Sequence, residues 1–182
     1  FDEVLKTARL AGITSPLEAI PSMPLGSFEV TPRELAYAYT TIASGGIRFD
    51  PFALSSVTTA KGDVLIAKTA KQKNVFDPRV TYLAGYAMEG VLERGTAIEA
   101  KDLGLDFRAS GKTGTTNGNR DSWFVGFTPD VVCAVWVGYD TAADTGLTGA
   151  QGALHIWTRF MQSVYARSKP STFIPPKGIQ MA

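Results

Sequence analysis

Hydrophobic residues in the first part of the chain recur with a helical period. The first such segment runs from Phe1 to Leu10 and is ended by Gly12. A second begins at Thr31, which is followed three residues later by Glu34, the spacing of a capping box, and Pro32 suits the first helical position. The pattern therefore predicts two helices with a Pro- and Ser-rich loop between them.

A third helical segment opens at Asp77-Pro78 and carries a wide apolar stripe. Before it, Phe52 to Thr59 and Val64 to Lys68 flank a turn sequence, which predicts a β-hairpin. We expect the stripe of the third helix to face the core. Its apolar positions are Val80, Leu83, Ala84, Ala87, Met88, Val91 and Leu92.

After Gly95 the period changes from that of helices to that of strands. The segments Phe107 to Thr115, Ser122 to Thr128 and Val131 to Tyr139 predict three successive strands, the last two joined as an antiparallel hairpin. The last strand is apolar on both faces, as expected of an inner strand. A Gly/Thr-rich loop and a helix over Leu154 to Val164 follow. The pattern predicts an α/β fold, α+β in stricter usage, in which helices cover a mainly antiparallel sheet.

Composition and charge exclude several classes of function. The 182 residues hold 18 Lys and Arg against 17 Asp and Glu, so neither nucleic acid nor an anionic membrane surface is expected as the main partner. No apolar run reaches the roughly 20 residues of a transmembrane helix, and the opening residues are helical rather than those of a signal peptide. With Cys133 and His155 each the single residue of its type, we expect no disulfide framework, no metal site and no cofactor.

Other residues with chemical potential are interpreted as structural. His155 is assigned a packing role, and Trp136 and Trp157 are assigned to the core. The charged residues Glu89, Glu93 and Arg94 are expected to form a solvated helix face, paired across one turn.

The segment Arg108 to Phe127 contains the most informative motif, Lys-Thr-Gly. In a strand, Thr113 and Thr115 face one way while Lys112 and Gly114 face the other. Two hydroxyls at this spacing can donate to one carboxylate, and a nearby ammonium adds charge-assisted attraction. Gly114 leaves room for a close backbone approach. At a sheet edge, the Thr115 N–H is also able to help hold an oxyanion.

Two rival interpretations of this segment are weaker. A phosphate-binding loop requires a glycine five residues before Gly111, where Asp106 stands, and a helix after the Lys-Thr, where a turn and a strand are predicted. A polar strand end without function would be preferred if the three motif residues stood alone. The sequence that surrounds the motif argues against this second interpretation.

The chain resembles the transpeptidase domain of bifunctional class A penicillin-binding proteins in the order and spacing of five blocks. These blocks are LGSFEVTPRELAYAYTTIASGG at 25–46, GVLERGTA at 90–97, ASGKTGTTNGNRDSWFVGFTPD at 109–130, VWVGYD at 135–140 and GA…IW at 152–157. Lys-Thr-Gly is itself a motif of this enzyme class. The resemblance implies the penicillin-binding transpeptidase or serine β-lactamase-like fold, here incomplete.

At positions that match the family, the resemblance implies two sets of site residues. Lys112 and Thr115 would be catalytic: the lysine keeps the site electropositive and assists proton movement, and the Thr115 N–H completes the oxyanion hole. The substrate-binding set would be Thr113, Gly114, Thr115 and Thr116.

The resemblance also implies an activity. The chain is expected to be the C-terminal part of a D,D-transpeptidase that cross-links peptidoglycan stem peptides ending in D-Ala-D-Ala through a serine acyl-enzyme, and that β-lactams inhibit. The Ser-x-x-Lys and Ser-x-Asn patterns of the family do not occur in the chain, and in the family they lie upstream. The missing N-terminal half of the domain is thus an expected partner, and this chain alone is predicted to be inactive. The alternative is a non-catalytic module that binds or senses peptidoglycan or β-lactams.

Further expectations concern domain organisation and location. Residues 1–168 are predicted to be the C-terminal part of the transpeptidase domain, and residues 169–182 an extended Pro-rich tail. Two strands of the family's sheet would precede this region, which leaves the outer edge of the Val131 to Tyr139 strand exposed. The resemblance also implies an upstream membrane anchor, an upstream glycosyltransferase domain, a location on the periplasmic face of the inner membrane, and roles in cell shape and antibiotic resistance.

Overall fold

The computed structural model of the protein describes residues 1–180, in which the predicted helices and strands are present. The helices are α1 (Asp2–Ala11), α2 (Pro32–Ala43), α3 (Pro78–Glu93), α4 (Glu99–Asp102) and α5 (Ala153–Val164). The strands are β1 (Ile47–Phe49), β2 (Ser56–Thr58), β3 (Val64–Ala67), β4 (Gln72–Asn74), β5 (Ser110–Thr115), β6 (Asp121–Phe127) and β7 (Val132–Gly138).

A three-stranded antiparallel sheet in the order β5-β6-β7 forms the centre of the structure. The predicted hairpin of the last two strands is confirmed, with Phe127 opposite Val132. The prediction that the last strand is an inner strand is wrong, because β6 holds that position and β7 ends the strand order. β7 contacts α2 and α5, so its two-sided apolar character reflects the helices that lie on both faces. Its outer edge is open among residues 1–180, as the resemblance implied.

The core lies between the sheet and the helices on its two faces. α5 packs against β6 and β7, while α2 and α3 contact β6 and β5 from the other side. Phe124 and Trp157 are fully buried and meet edge to face, with ring centroids 4.9 Å apart. Gly126 makes this contact possible, because a Cβ there would lie 2.6 Å from the indole of Trp157. The pairing of a glycine with a tryptophan therefore sets how closely α5 approaches the sheet.

The apolar stripe of α3 is less buried than its pattern predicts. Leu92 is buried, whereas the side chains of Val80 and Leu83 are 61% and 52% exposed. The other buried positions of α3 are Thr81 and Gly85. A helical pattern indicates an apolar face but not which neighbours cover it, and residues 1–180 cover this face only in part.

Two small sheets stand apart from the central one. The antiparallel pair of β2 and β3, with Val57 opposite Ile66, is the predicted hairpin. The antiparallel pair of β1 and β4 was not predicted. Each of its strands has three residues, and Gln72, Lys73 and Asn74 of β4 carry no alternation of apolar and polar positions that would reveal a strand.

A buried carboxylate fixes the loop after α1 to the start of α2. Glu34 Oε1 accepts hydrogen bonds from the backbone N–H groups of Thr14 and Ser15, both at 2.7 Å, and from the Thr14 hydroxyl at 2.6 Å. Glu34 Oε2 accepts from the Ser15 hydroxyl at 2.5 Å. The predicted capping box with Thr31 is also present. These hydrogen bonds, led by those from the Ser15 and Thr14 hydroxyls, hold the pKa of Glu34 far below its usual value.

Residues after α5 return across the molecule without forming a helix or strand up to residue 180. The Ser171 N–H donates to Asp130 Oδ2 at 2.7 Å, which lowers the pKa of Asp130. Phe173 packs edge-on against Phe127, with ring centroids 5.8 Å apart. The predicted boundary after residue 168 stays a prediction, and the last two residues of the predicted tail lie outside the described residues. Between residues 1 and 180 no helix has the length and hydrophobicity needed to cross a membrane.

Replacement of Glu34 by Gln should destabilise the protein by about 2 kcal/mol at pH 7. Both carboxylate oxygens of Glu34 accept hydrogen bonds, whereas the NH₂ group of glutamine cannot accept one. The folded-state pKa lies below the unfolded value of about 4.3. The stabilisation is therefore fully present above that value and is lost as the pH falls toward the folded-state pKa. Urea unfolding should show a smaller difference between wild type and Glu34→Gln at pH 4 than at pH 7. Glu29→Gln, at an exposed position, is the matched control, and equal differences at both pH values would contradict the prediction.

Candidate active site

Strand β5 places Lys112 to Thr115 along one border of the central sheet. On its inner side the strand pairs with β6, with Gly114 opposite Trp123 and Thr115 opposite Ser122. No other strand pairs with the outer side of β5 among residues 1–180. The motif is thus extended along an open sheet border, as the sequence predicted.

The hydroxyls of Thr113 and Thr115 lie on the same face of β5, and each contacts a residue from outside the strand. The Thr113 Oγ1 atom lies 2.8 Å from the Oγ1 atom of Thr96, which is in the link between α3 and α4. The Thr115 Oγ1 atom accepts a hydrogen bond from the Gly149 N–H at 2.9 Å. Because the Gly149 N–H occupies an acceptor lone pair, the proton of the Thr115 hydroxyl remains free to donate to a ligand.

The Lys112 side chain, which precedes Thr113 in the strand, is exposed to solvent. Its ammonium donates to the backbone carbonyl of Thr113 at 2.8 Å. This contact keeps a positive charge along the border formed by Lys112, Thr113 and Thr115. An ammonium and two hydroxyls in one short stretch suit an anionic ligand with two acceptor oxygens, such as a carboxylate.

The loop before α5 is attached to the sheet next to the motif. Ser122 Oγ donates to the Thr148 carbonyl at 2.7 Å and accepts from the Ala153 N–H at 3.0 Å. Between these two contacts, Gly149 lies directly over the sheet, and a Cβ there would be 2.6 Å from the carbonyl oxygens of both Gly114 and Trp123. The close approach of Gly149 is what brings its N–H to Thr115.

Thr116 closes the turn after β5. Its hydroxyl accepts from the Asp121 N–H at 2.9 Å and lies 3.0 Å from Asp121 Oδ2. These contacts give the Thr116 side chain a structural role in the turn, and its part in substrate binding stays a prediction. Asp121 Oδ1 also accepts from the Trp136 Nε1–H at 2.8 Å. Trp136 is 36% exposed on the edge strand β7, so its assignment to the core is wrong, whereas the assignment of Trp157 is confirmed.

The charged residues of α3 pair across elements rather than across one turn of the helix. Glu89 pairs with Arg108, just before β5, and Glu93 pairs with Lys101 of α4. The hydrogen bonds from the Arg108 guanidinium to Glu89 raise the pKa of Arg108. The expectation of pairing across one turn is wrong for these two glutamates, because an i,i+4 rule describes an isolated helix and not its packed neighbours. Glu89 and Arg108 instead connect α3 to the start of β5.

His155 has a polar partner in addition to its place on α5. Its Nε2 atom lies 3.1 Å from Glu99 Oε1, which links α5 to α4. In the part of the chain that the structure describes, no three His, Cys, Asp or Glu side chains converge as metal ligands would.

Three residues that contact the motif were not singled out from the sequence. Thr96 lies in the GVLERGTA block, but nothing in one sequence indicates that its hydroxyl reaches β5. Gly149 acts through its backbone N–H, and Ser122 acts through a hydroxyl that bonds to backbone groups of a distant loop, so the residue types do not reveal these partners. The signal available for Gly149 was a Gly/Thr-rich loop before a helix, which does not indicate a close approach of that loop to the sheet.

The family model of the penicillin-binding protein transpeptidase domain matches residues 12–162. The chain therefore belongs to this transpeptidase domain family. Relatives similar along most of the chain include penicillin-binding protein 2D of Bacillus subtilis, 34% identical over 98% of this chain and 26% of the relative. Penicillin-binding protein 1B of Escherichia coli is 37% identical over 90% of this chain and 19% of the relative. The chain thus spans about a fifth to a quarter of the length of these relatives, and the expected resemblance to class A penicillin-binding proteins is confirmed.

Solved structures agree with this family. Penicillin-binding protein 1A of Haemophilus influenzae has a TM-score of 0.87 at 20% identity, over 97% of this chain and 32% of that one, and shows the fold. PonA1 of Mycobacterium tuberculosis has a TM-score of 0.78 at 26% identity, over 98% of this chain and 56% of that one. PonA1 is also known in complex with penicillin V. The predicted fold class is confirmed, and this chain forms part of such a domain.

Replacement of Gly149 by Ala should destabilise the protein by about 1–3 kcal/mol, because the added methyl would meet two sheet carbonyls that cannot move apart. Thermal unfolding measures the change. Gly85→Ala on α3 is the matched control, since its Cβ would meet the Phe127 ring at an ordinary 3.9 Å and alanine suits a helix. Equal destabilisation by the two substitutions would argue against the close approach of the loop.

Proposed function

We propose that this chain is the C-terminal part of a serine D,D-transpeptidase that cross-links peptidoglycan stem peptides and is inhibited by β-lactams. The observation that carries the proposal is the open border of β5, where Thr113 and Thr115 have their hydroxyls on one face and the Lys112 ammonium is held at the Thr113 carbonyl. Stem peptides ending in D-Ala-D-Ala and β-lactams both carry a carboxylate close to the acyl group that reacts. Such a border suits both classes of ligand.

The proposed reaction proceeds through an acyl-enzyme. A serine in the N-terminal half of the domain attacks the carbonyl of the D-Ala-D-Ala peptide bond, D-alanine leaves, and the amine of a second stem peptide then takes the acyl group. The hydroxyls of Thr113 and Thr115 hold the substrate carboxylate. The Thr115 N–H helps to stabilise the oxyanion, and Lys112 favours proton movement at the serine by its positive charge. Gly114 allows the substrate backbone to approach the strand.

The partners and the location follow from the same proposal. The serine and its lysine must come from the N-terminal half of the domain, so the two halves form one site. A membrane anchor and a glycosyltransferase domain upstream would place the site on the periplasmic face of the inner membrane, where peptidoglycan is cross-linked. Roles in cell shape and in antibiotic resistance would follow from that reaction. The complex of PonA1 with penicillin V supports β-lactams as ligands.

Replacement of Lys112 by Ala, in the longer protein that contains this chain, should slow acylation by penicillin about 100-fold, the size of loss expected when one group that stabilises a transition state is removed. The second-order acylation rate constant, followed by intact mass, measures the effect. Lys61→Ala, in the exposed turn between β2 and β3, is the matched control and should leave the rate constant unchanged. A Lys112→Ala rate equal to that of the control would overturn the assignment of this site.

The 182-residue chain alone should form no covalent adduct with penicillin, because none of its serines has a lysine three residues later. Intact-mass measurement after incubation with penicillin G tests this, with the longer protein as the positive control. An adduct on the isolated chain would contradict the assigned position of the nucleophile. A longer protein that lacks both the adduct and an upstream Ser-x-x-Lys would favour the non-catalytic binding or sensor module.

A further inference from the structure

The link between α3 and α4 presents one hydroxyl to the motif from a fixed position. Thr96 is exposed, but the residues on either side of it are tightly packed. A Cβ on Gly95 would lie 2.8 Å from the Cα of Val91, and Ala97 is fully buried with its N–H donating to the Val91 carbonyl at 3.0 Å. The backbone of Thr96 is therefore held by the end of α3. Its hydroxyl reaches Thr113 Oγ1 at 2.8 Å from this anchored position.

The two hydroxyls of this contact share one hydrogen bond, and its direction matters for a ligand. If Thr113 donates to Thr96, the Thr113 proton is used within the protein. If Thr96 donates to Thr113, the Thr113 proton is free for a ligand oxygen, and the bond from Thr96 polarises that hydroxyl. A bound carboxylate selects the second arrangement because it can only accept.

The neighbouring hydroxyl of the motif has the same arrangement with a different donor. Thr115 Oγ1 accepts from the Gly149 N–H, which can only donate. Each of the two strand hydroxyls thus contacts a group that is able to donate a hydrogen bond to it. For Thr113 this group is the Thr96 hydroxyl of the α3–α4 link, and for Thr115 it is the Gly149 N–H of the loop before α5. This similarity favours a role for Thr96 in orienting the Thr113 hydroxyl, as the Gly149 N–H orients the hydroxyl of Thr115.

We propose that Thr96 is a positioning residue for substrate binding: it donates to Thr113 and directs the Thr113 proton toward the carboxylate of a stem peptide or β-lactam. This inference rests on the proposed transpeptidase function and extends it to a residue outside the Lys-Thr-Gly strand. Thr96 acts through Thr113 and forms no bond with the reacting atoms. The loss of its hydroxyl should therefore affect ligands that carry a free carboxylate and spare those that lack one.

The test compares acylation of the longer protein by penicillin G and by its methyl ester, which has no carboxylate charge. Thr96→Val removes the hydroxyl at nearly constant volume and should slow acylation by penicillin G about tenfold, in line with one hydrogen bond in a charged network. Acylation by the methyl ester should change less than about twofold. Thr96→Ser keeps the hydroxyl and should restore most of the rate with penicillin G. In a Thr113→Val background, Thr96→Val should have no further effect, because the two residues act as one unit.

Several results would decide against the inference. Equal slowing with both ligands, or a full tenfold loss in the Thr113→Val background, would assign Thr96 a structural role only. An unchanged rate in Thr96→Val, with a wild-type protein that reacts normally, would refute the inference while leaving the transpeptidase function intact. A wild-type protein that penicillin G does not acylate would overturn both. Thr69→Val, at an exposed position after β3, controls for the loss of a surface hydroxyl, and Thr96→Ala replaces Thr96→Val if the valine variant fails to fold.

Discussion

The antiparallel pairing of β5 with β6 determines which side chains the motif presents and to which face. The pairing places Thr113 opposite Phe124 and Thr115 opposite Ser122, so the two threonines share the face of the sheet on which Phe124 meets Trp157. A slip of one residue would turn both hydroxyls to the opposite face. Gly111 resists such a slip, because a Cβ at its position would lie 2.6 Å from the Phe124 ring and no neighbouring residue of the strand could take its place. Packing in the core therefore sets the chemistry at the border.

The candidate site is assembled from three segments that are distant in sequence. β5 supplies the motif, the α3–α4 link supplies Thr96, and the loop before α5 supplies Gly149. Ser122 on the neighbouring strand connects the third segment to the sheet through Thr148 and Ala153. Each segment is thus attached to a helix or strand with its own buried side chains. A substitution at these attachments is therefore expected to change the stability of the fold together with the geometry of the border.

Features of this fold that depend on residues a few positions apart could be predicted from the sequence, whereas contacts between elements distant in sequence could not. The capping box of Thr31 and Glu34 and the hairpin of β6 and β7 follow from residue types a few positions apart. The additional bonds from Thr14 and Ser15 to Glu34, and the pairing of Glu89 with Arg108, join residues about 20 positions apart and depend on how elements pack. The same limit explains why the predictions for β7 and α3 differ from the structure. Periodicity indicates apolar faces, whereas tertiary contacts determine which elements cover those faces and which strand ends the sheet.

The orientation of the Thr113 and Thr115 hydroxyls in the absence of a ligand affects how strongly this border of β5 would bind a carboxylate. A threonine hydroxyl that rotates freely must lose that freedom, and exchange its water contacts, when a carboxylate binds. The Gly149 N–H already occupies one acceptor position of Thr115, and the anchored Thr96 is placed to do the same for Thr113. Each hydroxyl then has fewer orientations to give up, and a hydroxyl that accepts such a bond keeps its own proton for a ligand. Preorganised donors of this kind contribute more than flexible ones, because little reorganisation accompanies binding. If β5 binds a carboxylate as proposed, the groups that contact Thr113 and Thr115 take part in that binding by orienting the two hydroxyls.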